Sequence, residues 1–318
     1  MKITTLIPAY KTKYIPELLI ALRHQTILSN KIIISDDSPN GEFRDTLYSE
    51  TVSPLLQGLD ISLHEGPRNG AFENFKHLTR LWNGSSDLFH ILLDDDVIYP
   101  EFYERHLSAH ASGNFSCSIS RRWEANEAGQ PISSQPVPLA VAGNMNRMLA
   151  LEDDVAFMAT VAECKNWLGE FSNAVFRAEH HDLILTPRLG SVSYAGLWDL
   201  GAFLAASTRQ PLCYILDHLG YFRKGPDQNS AQANSPLMKG AVLGYVALAI
   251  AGQQLGKLTA QQASNCFAGI SGAIAYWYAS QEDMAEFRQL MPELAAMHKG
   301  SEERFLKLWN EFQRRNGF

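Results

Sequence analysis

Short apolar runs and stretches of helical period alternate over the first hundred residues of the chain. Four runs are too short, or alternate too strictly, for a helix, and they predict strands at residues 3–7, 31–35, 59–63 and 88–93. Apolar residues recur at helical spacing at 15–25 and 71–82, which predicts a helix at each place. The order strand, helix, strand, strand, helix, strand is typical of a doubly wound α/β sheet.

Two of the predicted strands end in acidic residues. Asp36 and Asp37 follow the second strand, and Asp94, Asp95 and Asp96 follow the fourth. Because open α/β sheets bind ligands at the carboxyl ends of their strands, we expect these acids at one functional edge. Three adjacent carboxylates repel one another unless a cation compensates them, and such hard ligands suit Mg²⁺ or Mn²⁺ together with substrate phosphates. A solvated acidic turn is the alternative.

The pattern is less regular after residue 105. Residues 129–138 predict a loop beside the site, and residues 148–158 follow a helical pattern. The acids at 152–154 would form a solvated face of that helix or its start. One further acid, Asp199, lies in the apolar helical stretch 197–204. A buried carboxylate there needs either a function or a partner, such as a cation or a helix terminus.

The last eighty residues differ in composition from the rest of the chain. Ala, Leu, Gly and Gln dominate from Pro236 onward, and residues 282–297 and 302–315 predict amphipathic helices. We therefore predict an α/β domain at 1–234, with halves at 1–105 and 106–234, and a helical region at 235–318. The helical region is expected to pack on the α/β domain. A homodimer interface and contact with a membrane surface are the alternatives.

Composition and charge narrow the class of protein. The 318 residues are 46% hydrophobic and 19% charged, as in an ordinary globular protein with a sizeable core. A formal net charge of −7 argues against a general nucleic-acid binder. Four cysteines without a CxxC pair predict neither a zinc knuckle nor a disulfide framework, and they favour a reducing compartment.

The apolar segments are too short to predict a membrane-spanning protein. Residues 1–8 hold too short a run for a signal peptide. The most apolar later stretches, 241–252 and 267–280, fall short of the roughly 20 residues that a spanning helix needs. We expect a cytoplasmic protein whose contact with the inner face of the cell membrane, if any, is peripheral.

Four motifs occur in order on the predicted elements. They are Leu6-Ile7-Pro8-Ala9-Tyr10, Ile33-Ile34-Ser35-Asp36-Asp37-Ser38, Asn69-Gly70 with Asn74-Phe75, and Leu93-Asp94-Asp95-Asp96. Neither GxGxxG nor GxxxxGK[ST] occurs, so a dinucleotide fingerprint or a P-loop does not explain the fold. The set resembles glycosyltransferase family 2, inverting sugar transferases of the GT-A fold, and within it the branches that build bacterial polysaccharides. The resemblance covers residues 1–105 well and 165–232 more loosely.

The resemblance implies a donor site at the strand ends. Asp94 and Asp96 would anchor a divalent ion, and Asp95 would face the sugar or the ribose. The pocket for base and ribose would be formed by Pro8, Ala9, Tyr10, Asp36 and Asp37. Asn69 and Asn74 would brace the nucleotide or its loop. A carboxylate that accepts the imide N–H of uracil or thymine rejects cytosine, so UDP- or dTDP-sugars are favoured.

The resemblance also implies a catalytic base. Residues 167–177 resemble the segment that closes over sugar and acceptor in this family. Asp199 is similar in position to the family's base, although Trp198 stands where the family often has Glu. An aromatic segment around that Asp is closer to the polysaccharide-building branches.

A segment near the end of the α/β domain is implied to bind the diphosphate. Residues 216–230 resemble a Tyr-Arg-x-His segment, in which Arg223 and Lys224 would neutralise the diphosphate. The expected His is missing, with Gly225 near its place. His218 is the substitute candidate for a third metal ligand, and a structural role is its alternative.

These features predict a metal-dependent inverting glycosyltransferase. It would move a sugar from a nucleoside diphosphate sugar to a glycan or lipid-linked glycan acceptor in bacterial surface polysaccharide synthesis. A nucleotidylyltransferase would add a Gly-rich basic loop near the N-terminus, which residues 8–11 are not, and a DxD phosphatase would carry that motif on the first strand. A non-catalytic module that binds nucleotide sugars or glycans is a third alternative, favoured by the missing His and by Trp198.

Overall fold

The computed structural model describes residues 1–143, 146–225 and 232–318. Their contacts divide the chain into two units. The sheet unit comprises Met1–Leu151, Leu168–Thr186 and Arg209–Lys224. The helical unit comprises Glu152–Trp167, Pro187–Thr208 and Gly225–Phe318, and so includes two segments that precede residue 235. The division predicted from the sequence differs from this one and stays a prediction.

The strands belong to two sheets. In chain order they are β1 (Ile3–Ala9), β2 (Lys31–Asp36), β3 (Ile61–Glu65), β4 (Leu88–Ile91), β5 (Val97–Ile98), β6 (Cys117–Ala125), β7 (Pro131–Ser134), β8 (Met148–Leu151), β9 (Ala174–Arg177), β10 (Arg188–Leu189), β11 (Val192–Ser193) and β12 (Leu212–Arg223). Within the described residues, ten of them form one sheet in the order β3-β2-β1-β4-β9-β6-β12-β5, with β7 beside β6 and β8 beside β12. β10 and β11 form a separate pair in the helical unit.

The large sheet is mixed. β3, β2, β1 and β4 run parallel, whereas β9 runs antiparallel to both β4 and β6. Every residue of β1 and of β4 is buried, as expected of parallel strands that are covered on both faces. The parallel part of the sheet therefore brings the carboxyl ends of four strands to one edge.

The helices follow the predicted pattern where their apolar period is clear. In chain order they are α1 (Ile15–Arg23), α2 (Glu42–Leu47), α3 (Ala71–Trp82), α4 (Phe102–Ser112), α5 (Leu139–Ala142), α6 (Asp153–Phe157), α7 (Asp182–Leu185), α8 (Trp198–Ser207), α9 (Pro236–Gln254), α10 (Ala260–Trp277), α11 (Ala285–Ala295) and α12 (Ser301–Asn316). α1 carries Pro16 in its first turn, where the missing N–H costs nothing, and buries Leu18 and Leu22. α3 has the bounds that its apolar stripe predicts.

Capped helices and a buried tryptophan hold the helical unit together. The side chain of Ser235 caps α9 by accepting the backbone N–H of Met238 at 3.2 Å, and Thr259 begins α10 in a capping box. Trp309 on α12 is fully buried and donates its Nε1–H to the carbonyl of Ser193 at 2.8 Å. The last helices are thus joined to the segment that carries α8.

Three local predictions were wrong in part. Met148–Leu151, predicted as helix, is β8 and pairs antiparallel with β12, because a four-residue apolar run fits either period. The predicted loop at 129–138 contains β7, whose exposed residues gave no apolar signal for a strand. The apolar run at 88–93 ends as a strand at Ile91. The acids at 152–154 do lie at a helix start, that of α6.

Among the described helices, α9 is long and apolar enough to cross a membrane by length and composition. It spans 19 residues, more than the apolar stretch at 241–252 suggests, and 67% of its most apolar window is buried. Leu243, Val246 and Ile250 are fully buried within it. The core helix of a helical unit can have the same length and composition as a membrane-spanning helix. The localisation of the protein therefore stays a prediction.

Candidate active site at the sheet edge

The predicted acidic residues lie at one edge of the large sheet. β1 lies between β2 and β4, with Ala9 opposite Asp36 on one side and Leu6 opposite Ile91 on the other. Because all three strands are parallel, the segment after β1, the Asp36–Asp37 pair after β2 and the three aspartates after β4 follow adjacent strand ends. We call Asp94, Asp95 and Asp96 the acid triplet. This edge is the candidate donor site.

Asp94 joins the loop after β4 to the loop after β1. Its Oδ2 accepts the backbone N–H of Tyr10 at 2.5 Å and that of Lys11 at 2.6 Å. The carboxyl group is buried, and burial together with Asp95 raises its pKa to about 7, although the two N–H donors act in the opposite direction. Asp94 thus holds two loops of the site in register.

Asp95 forms an ion pair with the ammonium group of Lys11. The Lys11 side chain is 33% exposed, whereas that of Asp95 is buried. Burial alone would lower the pKa of Lys11, but Asp95, and more weakly Asp94 and Asp96, raise it above its usual value. Lys11 was not among the residues predicted from the sequence. The nearest signal was its place directly after the Pro8-Ala9-Tyr10 motif.

Asp96 is the most deeply buried acid of the triplet. Its Oδ1 accepts the backbone N–H of Arg223 at 3.1 Å, and its Oδ2 has no hydrogen-bond partner among the described residues. Burial, then the charge of Asp95 and more weakly that of Glu170, raise the pKa of Asp96 well above its ordinary range, although the Ser172 hydroxyl and the backbone N–H of Arg223 act in the opposite direction. A buried carboxylate oxygen without a partner is costly unless a ligand satisfies it.

The residues present fit a divalent ion that also binds a diphosphate. Mg²⁺ commonly takes one or two protein carboxylates and completes its shell with water and phosphate oxygens. The unpartnered Oδ2 of Asp96 is one such ligand atom, and Asp94 accepts both of its described backbone N–H groups on Oδ2. Asp96 is therefore the residue that would hold the ion, with Asp94 as the supporting carboxylate.

His218 does not join the acid triplet in a metal cluster. Its ring stacks on Trp123, with ring centroids 4.1 Å apart, and its Nε2 lies 2.8 Å from Oγ of Ser134. Burial, and then Arg121, lowers the pKa of His218 to about 4. No group of three or more His, Cys, Asp or Glu side chains in the described part of the chain is placed to hold a metal. The predicted set of Asp94, Asp96 and His218 is therefore not assembled, because the fold uses His218 for packing.

The two acids after β2 have different surroundings. Asp36 accepts the backbone N–H of Ser38 at 3.0 Å on Oδ1 and that of Arg44 at 3.0 Å on Oδ2, so it stabilises the start of α2. Asp37 accepts the backbone N–H of Arg68 on Oδ1, and burial raises its pKa. The loop approaches closely here, since a Cβ on Gly66 would lie 2.6 Å from that oxygen. Among the described contacts, both oxygens of Asp36 accept backbone N–H groups, whereas Asp37 accepts one on Oδ1.

The remaining predicted donor residues divide between loop and core. Pro8 and Ala9 are the buried end of β1, and the Tyr10 side chain is 58% exposed beyond it. Asn69 is exposed in the loop before α3. Asn74 is buried on α3, and its Nδ2 donates to the carbonyl of Ser35 at 3.3 Å. Asn74 therefore braces α3 against the end of β2.

Arg223 has a structural environment that the sequence did not predict. The guanidinium is 1% exposed, forms an ion pair with Glu17, and donates from Nε to the carbonyl of Asp95 at 2.9 Å and from Nη1 to the carbonyl of Glu127. The guanidinium carbon Cζ of Arg223 lies 4.2 Å from the centroid of the Tyr14 ring. All three side-chain nitrogens of Arg223 therefore have protein partners, and its contact with the Asp95 carbonyl stabilises the backbone of the acid triplet. The predicted contact of Arg223 with a diphosphate stays a prediction.

Lys224 and the segment after it complete the predicted diphosphate region. The Lys224 ammonium lies 2.7 Å from Glu124 and is about half exposed, so it is paired but accessible. Residues 226–230 of the predicted Tyr-Arg-x-His segment lie outside the described residues. The position near the expected His is Gly225, as the sequence indicated.

The predicted closing segment at 167–177 contacts Leu93, the residue before the acid triplet, through its sheet-unit part. The Ser172 hydroxyl accepts the backbone N–H of Leu93 at 3.1 Å. Glu170 forms a bidentate ion pair with the buried side chain of Arg122. The Arg122–Glu170 pair was missed because its members lie 48 residues apart.

Asp199 belongs to the helical unit. It lies in the first turn of α8, half-buried, and the rest of that helix from Leu200 to Ser207 is buried. An acid in the first turn is favoured by the helix dipole, which is the structural alternative that the sequence left open. Its assignment as catalytic base stays a prediction.

Solved structures match the chain in fold, whereas no family model and no curated protein sequence matches it. S. aureus TarS (residues 1–349) bound to UDP-GlcNAc gives a TM-score of 0.51 at 12% identity, covering 100% of this chain and 92% of its own. The same protein bound to UDP gives 0.54 at 13%, with the same coverage. The mannosyltransferase PcManGT from Pyrobaculum calidifontis, bound to GDP-Man and Mn²⁺, gives 0.51 at 13%, covering 100% and 87%. The match confirms the predicted fold class, a GT-A type mixed α/β sheet with C-terminal helices.

Proposed function

We propose that the protein is a glycosyltransferase whose donor is a nucleoside diphosphate sugar. One observation carries the proposal. Asp37 and the acid triplet follow strands on either side of β1, in a fold shared with proteins solved with UDP-GlcNAc and with GDP-Man. Such a donor presents a base, a ribose and a diphosphate, and this edge of the sheet offers different groups to each.

Asp37 is the proposed recognition group for the base. Because burial raises the pKa of Asp37, its carboxylate gains from a further hydrogen-bond donor besides Arg68. The imide N–H of uracil or thymine is such a donor, and cytosine has no proton at that position. The exposed ring of Tyr10 offers a face on which a base can stack. UDP- and dTDP-sugars are therefore the favoured donors.

Asp96 and Asp94 are the proposed ligands of a divalent ion. A bound Mn²⁺ or Mg²⁺ would supply Lewis-acid stabilisation to the leaving diphosphate. Asp96 would contribute Oδ2, which has no described protein partner, while Asp94 keeps the loops after β1 and β4 in register. Asp95 would face the ribose or the sugar. The manganese in the PcManGT complex supports the choice of ion.

Asp199 is the proposed general base. It would take the proton of the acceptor hydroxyl as that oxygen attacks the anomeric carbon from the face opposite the diphosphate, which inverts the configuration. The resemblance to family 2 supports this role, and Trp198 is the departure from the family pattern.

The acceptor is proposed from the resemblance alone. We infer a glycan or lipid-linked glycan of bacterial surface polysaccharide synthesis, used in the cytoplasm at the inner face of the membrane. The resemblance to polysaccharide-building branches is the support for this extension.

The test of the function uses the donor without an acceptor. Purified protein is incubated with labelled UDP-, dTDP- and GDP-sugars in Mn²⁺ or in EDTA, and release of free sugar and nucleoside diphosphate is followed. We expect slow hydrolysis of one class of donor, dependent on the metal ion. Saturable binding without hydrolysis would indicate a non-catalytic module, and release of pyrophosphate from UTP and a sugar 1-phosphate would indicate a nucleotidylyltransferase. If no donor is bound and no donor is turned over, the proposal is contradicted.

A further inference from the structure

The acid triplet has one ammonium group directly on it. Nζ of Lys11 is paired with Asp95, and Asp94 and Asp96 are near enough to favour its charged form. The Lys11 side chain remains one third exposed. A ligand that reaches the triplet from solvent therefore meets this cation.

In the described part of the chain, four other basic side chains of the sheet unit form their ion pairs with glutamates and not with a carboxylate of the triplet. Arg122 is buried in its two-pronged pair with Glu170, and Arg223 is enclosed by Glu17 and backbone carbonyls. Lys13 and Lys224 pair with the glutamates at 127 and 124. Among these, Lys11 is the cation that lies on the acids.

The backbone of Lys11 is held in place by the same acids. Its N–H and that of Tyr10 both donate to Oδ2 of Asp94, so the residue cannot leave the edge without breaking that contact. An ammonium group has three N–H donors, and the side-chain partner described for this one is Asp95. Donors remain for an anion. A lysine held in this way binds phosphate as a point charge and loses little freedom on binding.

We propose that Lys11 binds the diphosphate of the donor while Asp95 holds its ammonium group in position. The proposal rests on the proposed function, because it concerns the same donor site. In the bound state the ammonium would lie between the Asp95 carboxylate and a phosphate oxygen. Lys11 would thereby replace Arg223 as the protein cation that neutralises the diphosphate, and its contribution would persist without a divalent ion.

The experiment compares Lys11→Met with Lys13→Met by calorimetry with UDP and with uridine, in EDTA and in Mn²⁺. Lys13 is the matched control, since it is an exposed lysine two residues further on that pairs with Glu127. We expect Lys11→Met to weaken UDP binding about 10- to 100-fold in either buffer, as loss of a charge-assisted contact implies. Uridine affinity should be unchanged, and Lys13→Met should leave both affinities unchanged. Lys11→Arg should restore part of the UDP affinity.

Each outcome separates this proposal from the function on which it rests. If the wild type binds none of UDP, dTDP and GDP, the proposed function fails first. If the wild type binds UDP and Lys11→Met binds it equally well, the function stands and the role of Lys11 is refuted. An equal loss of uridine binding would show that Lys11 merely supports the pocket. Should Lys11→Met not fold, because Asp95 loses its ammonium partner, Lys11→Gln keeps an N–H for Asp95 and replaces Lys11→Met in the same comparison.

Discussion

The ends of β2 and β4 carry similar acidic sequences and use them differently. In both places the first acid binds backbone N–H groups. Asp36 binds the turn that follows it and stabilises α2, whereas Asp94 binds a loop more than eighty residues away. The first acid is therefore structural at each strand end, locally at β2 and over a long range at β4.

The acids that follow differ in their need for a cation. Asp37 accepts one backbone N–H, that of Arg68. A neutral nucleotide base can donate a second N–H to it. Asp95 and Asp96 are buried side by side, and their repulsion adds to burial in raising the pKa of Asp96. Buried acids that repel each other gain most from positive charge. We therefore propose that the nucleotide base binds at the end of β2, and that the diphosphate and its cations bind at the end of β4.

The largest effect is expected from a residue at neither strand end. Asp199→Asn should lower transfer to acceptor or water by roughly 10²- to 10⁴-fold, because an amide cannot take the hydroxyl proton. UDP affinity should be unchanged, since the groups assigned to the donor belong to β2 and β4. Turnover and calorimetric affinity are measured on one preparation. Equal turnover in variant and wild type would remove Asp199 as the base.

Asp96→Ala tests the end of β4. It should abolish the Mn²⁺-dependent part of UDP binding, a loss of about 100-fold, or roughly 2.7 kcal/mol. Calorimetry with and without Mn²⁺ measures it. The matched control is Asp87→Ala, an exposed acid just before the other end of β4, which should bind as the wild type does. Metal-dependent binding that survives in Asp96→Ala would break the assignment of charge chemistry to this end.

Asp37→Ala and Asp36→Ala compare the roles of the two acids at the end of β2. Asp37→Ala should weaken UDP binding about tenfold, as loss of one hydrogen bond to a charged group implies, with little change in the free energy of unfolding. Asp36→Ala should lower the free energy of unfolding by about 1–2 kcal/mol, because the start of α2 loses its acceptor. Urea titration and calorimetry measure the two effects. The reverse assignment of effects would contradict the division of roles.

Asp94→Asn gives the smallest expected effect, and it depends on pH. The pKa of Asp94 is about 7 in the folded protein against an ordinary 3.8, so above pH 7 folding must bury a charge. Below pH 7 the folded protein binds the proton, and this penalty disappears as the pH falls towards 4. The variant should therefore exceed the wild type in stability by about 1 kcal/mol at pH 8 in EDTA, and by less at pH 5.

The control for this pH effect is Asp87→Asn, which keeps an oxygen to accept the backbone N–H of Lys2 and should change stability by less than about 0.5 kcal/mol at either pH. Thermal unfolding in EDTA at both pH values measures both variants. An advantage of Asp94→Asn that grows as the pH falls would have the wrong sign for a buried carboxylate with a raised pKa.

Long, regular elements were predictable from the chain because their burial imposes a period on it. α3 has its predicted bounds, and β1 and β2 lie within two residues of theirs. Short elements with little burial were not predictable. β8 is four residues long, and β7 is an exposed edge strand, so neither imposes a distinctive pattern.

The placement of the predicted acids at one sheet edge was predictable, but the partners of several other residues at that edge were not. Arg223, His218 and Lys11 are ordinary in sequence, and their roles depend on partners that lie far along the chain. Arg223 contacts Glu17, which is 206 residues away in the sequence, and Asp96, which is 127 residues away. Local patterns hold no information on such meetings.

The sequence alone determined that acids end two strands of a mostly parallel sheet and so lie at one edge, because parallel strands deliver their carboxyl ends to the same side. Only the tertiary structure decided which acid is structural, which acid has a buried oxygen without a described partner, and that the ammonium group of Lys11 pairs with a carboxylate of the triplet. The physical reason is that hydrogen bonding and charge pairing depend on distances between side chains, which the folded chain sets and the order of residues does not.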